Sequence, residues 1–230
     1  MKKGQFIVLD GNDGSGKATQ SRLLSESLAV AGVASVTMDF PAYERNLFGA
    51  LIGESLAGQH GDFLHMDPKI ASTLYALDRL ESSGDIRKAL EGGKVVIADR
   101  FASSNQIHQG GKIANEKERT AFLEWLDRME HEVLDIPRPD HIIYLRVPVE
   151  MSLRLLQKKR AAKNQFLDAG AKDTVEQDRN YLEQSHKTAN WLATRQSNWT
   201  IIDCVKDGAM RSVEDIHAEV SRIVDELVRG

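Results

Sequence analysis

The sequence predicts an α/β fold, a mostly parallel sheet with helices on both faces, and three observations predict it. Apolar runs of strand length recur at Phe6–Leu9, Ala34–Met38, Val95–Ala98, Ile142–Val147 and Trp199–Ile202. Between them lie longer segments with apolar residues three and four apart, at Ser21–Ala31, Leu47–Leu56, Ile70–Leu80, Arg119–Val133, Met151–Lys159, Val175–Ala193 and Val213–Val228. The first run ends in a Gly-rich turn that leads into the first helical segment. Short strands alternating with helices imply crossover connections and a sheet buried on both sides. Ligands of such sheets bind beyond the C-terminal ends of the strands, so the residues after each run are the ones to examine.

Composition narrows the function classes. A chain of 230 residues can bury a substantial core, and 41% hydrophobic with 28% charged residues describes a soluble globular protein. A net charge of −4 lacks the broad basic surface that polymeric nucleic acid requires, so an anionic substrate must be met by a few local cations. No stretch reaches the ~18–20 apolar residues of a membrane span, and the run after MKKGQ is too short for a signal-peptide core. A cytoplasmic protein without membrane partners is therefore expected. The single cysteine, Cys204, lies in an apolar run and reads as a small buried side chain. With no repeat or Pro/Gly-rich linker, residues 1–230 read as one domain.

Taken in order, the first run is followed by Gly11-Asn12-Asp13-Gly14-Ser15-Gly16-Lys17-Ala18-Thr19. This is nearly a P-loop, in which backbone N–H groups face a polyphosphate and the lysine reaches its terminal phosphates. The backbone of Asp13 to Thr19 would then surround the β-phosphate, with Lys17 on the transferring group. Ala18 stands where a metal-binding hydroxyl usually does, which predicts weakened metal binding.

The second run is followed by Phe40-Pro41-Ala42-Tyr43. Alone this is a hydrophobic turn; beside a nucleotide it is a platform for base stacking worth ~1–3 kcal/mol. Gly58 to Pro68 reads as a loop, and Arg79 ends an apolar helical segment in a buried or cleft-facing place. After the third run, Asp99 can hold Mg²⁺ and Arg100 can fork onto phosphate, although in isolation the pair could equally be a salt bridge closing a strand. Leu156 to Lys163 holds four cations in eight residues. It is either a solvated face or part of a mobile lid, at about residues 156–174, that brings a cation such as Arg160 onto the transferring phosphate. Ser212, with Asp215 three residues on, caps the last helix.

Together these residues resemble the thymidylate kinase family, which makes dTDP from dTMP and ATP. The resemblance rests on Gly11 to Gln20, on Phe40-Pro41-Ala42-Tyr43, on Leu74-Tyr75-Ala76-Leu77-Asp78-Arg79, on Asp99 to Gln109, and on Asp173 to Leu182. It implies a three-layer P-loop NTPase fold with a five-stranded parallel sheet, a short lid and a homodimer. It implies a catalytic set of Lys17, Arg100, Asp13 and Arg160, and a Mg²⁺ site drawing on Asp99, Asp13 and Glu176. The implied substrate side is Phe40, Pro41, Tyr43, Arg79, Arg100, Ser104, Asn105 and His108. Phe40 would stack on thymine, Arg79 and Asn105 would read its polar edge, and Arg100 with Tyr43 would hold the monophosphate. His108 departs from the family's aromatic residue beside the deoxyribose. The expected activity is ATP-dependent phosphorylation of dTMP. The alternatives are a kinase of the same fold acting on dUMP or a nucleoside, and a nucleotide-binding protein with impaired catalysis.

Overall fold

The computed structural model describes residues 3–155 and 179–229. Its sheet has five parallel strands in the order β2-β3-β1-β4-β5, where β1 is Phe6–Gly11, β2 Ser35–Asp39, β3 Val95–Asp99, β4 His141–Arg146 and β5 Trp199–Asp203. Successive β1 side chains point to opposite faces. Ile7 and Leu9 pack with Leu24 and Leu28 of α1 (Lys17–Val30), beneath Ile216, Val220 and Val224 of the C-terminal helix Val213–Arg229. Phe6 and Val8 pack on the other side with Ile86, Phe101, Ile107 and Leu192. All six residues of β1 are buried, which is why that run is apolar up to its last two positions.

The register fixes where the site forms. Leu9 of β1 and Asp39 of β2 both lie level with Asp99 of β3, so the three strands end on one edge. The residues that follow, Asp10-Gly11, Phe40 and Arg100, therefore meet there. The strand boundaries differ from expectation by about a residue: β2 begins at Ser35 and includes Asp39, and β4 begins at His141.

Around this edge stand α2 (Leu47–Leu56), α3 (Pro68–Glu91), α4 (Ala102–Gly111) and α5 (Glu116–Asp127). Helix α3 is far longer than the Ile70–Leu80 segment, because the Asp67 side chain accepts from the backbone N–H groups of Lys69 and Ile70 while Pro68 occupies the first turn. The loop expected at Gly58 to Pro68 thus ends one residue early. Helix α4 was not signalled by periodicity, since Ala102-Ser103-Ser104-Asn105-Gln106-Ile107-His108-Gln109-Gly110-Gly111 has few apolar residues. The segment Arg119–Val133 divides into the end of α5 and a π-helical turn at Arg128–Val133.

After β4 a helix, α6, covers residues 149–155. It is followed by α7 (Arg179–Ala193), β5, a small hairpin of β6 (Val205–Lys206) and β7 (Ala209–Met210), and α8 (Val213–Arg229). Asp215 N–H donates to Ser212 Oγ at 3.0 Å, the cap expected there. Cys204 is fully buried, as its apolar surroundings imply. The lid segment 156–174, with Arg160, and the carboxylate Glu176 lie outside the described residues.

Candidate functional site

The Gly-rich loop closes over the end of β1. Gly11 has φ 151, and a Cβ there would lie 2.6 Å from the Leu145 carbonyl oxygen and 2.7 Å from Ser15 Oγ, so only glycine fits. Gly14 and Gly16 turn the chain with φ 80 and 92 into the first turn of α1. Lys17, the first residue of that helix, folds back, its Nζ donating to the carbonyls of Gly11 at 2.9 Å and Asn12 at 3.1 Å. Burial, reinforced by the positive charge of Arg100, lowers its pKa to about 8.

Arg100 follows β3 with φ 67, a left-handed backbone in a residue that is not glycine. Its backbone N–H donates to Leu9 O at 2.9 Å, which ties the turn to β1. Its guanidinium donates to Asp13 Oδ1 at 2.5 Å, lies 3.8 Å from Asp10 Oδ1, and reaches His108 Nε2 at 3.2 Å and Ser104 Oγ at 3.5 Å. Asp10 is fully buried and accepts from Gly11 N–H, Ser103 Oγ and Ser104 Oγ at 2.8, 2.6 and 2.8 Å. It therefore anchors α4 beneath the loop. Burial would push the Asp13 carboxyl up, but the charges of Arg100 and Lys17 outweigh it and hold the group well below the usual carboxylate range. Burial opposes the charge on Arg100 too, and the surrounding carboxylates Asp13, Asp10 and Asp99 raise its pKa regardless.

His108 is neutral: burial and the charge of Arg100 lower its pKa to about 4. Its Nε2 accordingly accepts from Arg100, and its Nδ1–H donates to Ser185 Oγ at 3.1 Å. Ser185 Oγ passes a hydrogen bond to Tyr181 O at 2.8 Å, and the Tyr181 ring stacks on the imidazole with centroids 5.7 Å apart. His108, a substrate-side candidate that departs from the family's aromatic residue, thus joins α4 to α7.

The opposite wall begins with Phe40, whose N–H donates to Asp99 O at 3.0 Å and whose ring meets Phe101 edge-on at 5.2 Å. The Phe40–Pro41 peptide is cis. Asp78, buried on α3, accepts from Ala42 N–H at 3.1 Å and Asn46 Nδ2 at 2.9 Å, and so holds the Phe40–Tyr43 turn against that helix. Burial raises its pKa. The next residue, Arg79, is buried over the Phe101 ring and donates through Nε and Nη2 to both oxygens of Glu130, at 2.8 and 2.7 Å. Asn105 Nδ2 donates to Ser72 O at 3.1 Å and Glu130 Oε1 at 3.3 Å.

These groups line a cleft of about 650 Å³. Its walls include Asp13, Gly14, Gly16, Lys17, Ala18 and Thr19 from the loop. They also include Phe40, Pro41, Tyr43, Arg79, Asp99, Arg100, Ser104, Asn105 and His108. Gly11, Asn12 and Ser15 complete the loop from behind, all of them buried. Sequence reasoning missed Asp10, Asp78 and Glu130, the carboxylates that hold these walls in place. Asp78 stands inside a motif yet reads as a helix-surface charge, and nothing in the sequence distinguishes Glu130 from its exposed neighbour Glu132.

Among the described residues no three His, Cys, Asp or Glu side chains gather to hold a metal. The donors present still suit Mg²⁺, a hard cation that takes one or two carboxylates and completes its shell with phosphate oxygens and water. Burial raises the Asp99 pKa, and the Asp99 carboxyl accepts no hydrogen bond among the described residues. It faces the same cleft as Asp13.

Comparison with known proteins agrees with this geometry. A family model described as thymidylate kinase matches residues 9–220. A probable thymidylate kinase from Pyrococcus abyssi is 33% identical over 233 residues, covering 99% of each chain. A thymidylate kinase from Mycobacterium tuberculosis is 33% identical over 147 residues, 64% of this chain and 68% of that one. In fold, the chain is similar to a solved thymidylate kinase from Candida albicans, with a TM-score of 0.72 at 20% identity over 97% of this chain and 92% of the other.

Proposed function

The chain belongs to the thymidylate kinase family, and we propose that it performs the family's reaction in this cleft, moving the γ-phosphoryl group of ATP to the 5′-phosphate of dTMP. The observation that carries the reading is a meeting of cations. Lys17 from the Gly-rich loop and Arg100 from the end of β3 approach the same carboxylate, Asp13, from two sides. Two phosphate sites side by side are what a transfer between nucleotides needs.

ATP lies with its phosphates along the loop, and Lys17 exchanges the Gly11 and Asn12 carbonyls for phosphate oxygens. The monophosphate of dTMP takes the Arg100 guanidinium, whose orientation His108 and Ser104 hold, while the thymine ring lies against Phe40 with its polar edge toward Arg79 and Asn105. An ionised 5′-phosphate oxygen attacks the γ-phosphorus as the bond to the ADP β-oxygen breaks in line. That oxygen carries no proton at neutral pH, so positioning and charge neutralisation suffice and no strong general base is required. Asp99 and Asp13, with Glu176, would hold Mg²⁺, which would supply further neutralisation of phosphate charge when bound. On family grounds, a cation of the 156–174 segment such as Arg160 would reach the transferring phosphoryl group and help keep water from acting as acceptor. We assign a homodimer and a cytoplasmic site of action on family grounds; sedimentation at twice the chain's 25.6 kDa tests the first.

An ADP-release assay over dTMP, dUMP, dCMP, dGMP and thymidine tests the reaction. Turnover is expected to be highest with dTMP. Preferential turnover of dGMP, or of thymidine without its phosphate, would overturn the assignment.

A further inference from the structure

We propose that Glu130 is a positioning residue that sets base selectivity by fixing which atoms Arg79 and Asn105 present to the cleft, an inference that rests on the dTMP reading above. Glu130 is a fully buried carboxylate in the π-helical turn Arg128–Val133. Such turns are rare and concentrate at functional sites. A buried charge is costly unless paired, and here the partner is itself a cleft residue. The two-pronged contact with Glu130 uses Nε–H and one Nη2–H of Arg79. Nη1 has no partner among the described residues, so a donor remains for a ligand.

The same carboxylate orients Asn105. Its Nδ2 hydrogens go to Ser72 O and Glu130 Oε1, so the atom left over is Oδ1, an acceptor. Both residues line the cleft with Phe40. A donor beside an acceptor complements a ring that carries an exocyclic oxygen next to a ring N–H, which is the edge of a 4-oxo pyrimidine. A 4-amino pyrimidine presents the reverse pattern, an amino donor next to a bare ring nitrogen. It would set donor against donor and leave buried polar groups unpaired, a strong basis for rejection. Without Glu130 the Asn105 amide is free to turn over and the guanidinium to swing. Selectivity would then fall more than catalysis.

The test is steady-state kinetics of the full chain with dTMP and dCMP. Glu130→Gln is expected to raise the dTMP KM at least tenfold and to narrow the dTMP-to-dCMP ratio of kcat/KM at least tenfold, with the ATP KM unchanged. Glu130→Asp, which keeps the charge on a shorter stem, is expected to narrow the ratio less, and it carries the test if the glutamine variant does not fold. A folded variant that loses activity equally on both nucleotides, or keeps the wild-type ratio, overturns the inference and makes the ion pair a staple between α3 and the π-turn. A wild-type chain inactive on dTMP would instead overturn the reaction itself.

Discussion

Lys17 carries the sharpest consequence at the scale of single residues. Burial and the neighbouring Arg100 lower its pKa to about 8, so the free protein loses this charge as pH rises through about 8, well below the range of an exposed lysine. Binding of ATP then weakens on the alkaline side. The pH profile of kcat/KM for ATP, which reports the free enzyme, is expected to fall about tenfold per unit above that point. The profile of kcat should break at higher pH, because bound phosphates favour the ammonium and raise its pKa. Lys17→Arg, whose guanidinium does not titrate, should lose the alkaline limb while turning over more slowly. A wild-type limb at or above pH 10 would show that the ammonium is solvated in the working protein. The loop motif marked Lys17 as a candidate phosphate ligand but gave no sign of this pKa. It depends on Arg100, 83 positions away in sequence and brought close only by the register of β1 with β3.

At the scale of elements, the cleft wall formed by the Phe40–Tyr43 turn depends on how closely α2 approaches it. A Cβ at Gly49 would stand 2.3 Å from Ala42 O and 2.9 Å from Asp78 Oδ1, and the first of these is backbone that cannot step aside. Gly49→Ala is therefore expected to push α2 off the turn, costing about 1–3 kcal/mol by urea unfolding. It should raise the dTMP KM several-fold and leave the ATP KM alone, because the Gly-rich loop is built on other elements. An unchanged dTMP KM would mean that the turn holds its place without α2. Elements were legible in the sequence to the extent that packing governs them. The inner strands β1, β3 and β4 are apolar because the sheet is covered on both faces, and α8 shows its stripe at Ile216, Val220 and Ile223. Helix α4 was not legible because its inward positions are largely polar: Ser103, Asn105 and Gln109 are buried polar residues, two of them tied to carboxylates. The π-turn was equally hidden: it carries the Glu130 that pairs with Arg79, and its wider winding leaves no apolar pattern of its own.

For the whole molecule, the walls of the cleft share one edge of the sheet, and His108 bridges two of them, from Arg100 at the end of β3 to Ser185 on α7. That bridge needs a neutral imidazole, which makes global stability depend on pH. The sign follows from linkage. The folded pKa of His108 is about 4 against 6.5 for a free histidine, so the unfolded chain takes up a proton first as pH falls. Its contribution is complete above pH 6.5, declines at about 1.4 kcal/mol per unit below it, and is lost by about pH 4, a total on the order of 3 kcal/mol. His141, His186 and His217 are also shifted down by burial and act in the same direction. Asp78 and Asp99 oppose them, because burial raises their pKa values and protonation favours the fold. The histidine share is separable by window, because it begins at pH 6.5. Urea unfolding at half-unit steps from pH 7.5 to 4.5 should show wild-type stability falling with decreasing pH, and His108→Gln should flatten the slope by close to one proton while lowering stability at pH 7.5. Parallel slopes for the two proteins would mean that His108 takes up its proton in the fold as readily as in the unfolded chain, as a solvated imidazole does. Its bond from Arg100 would then not exist in solution.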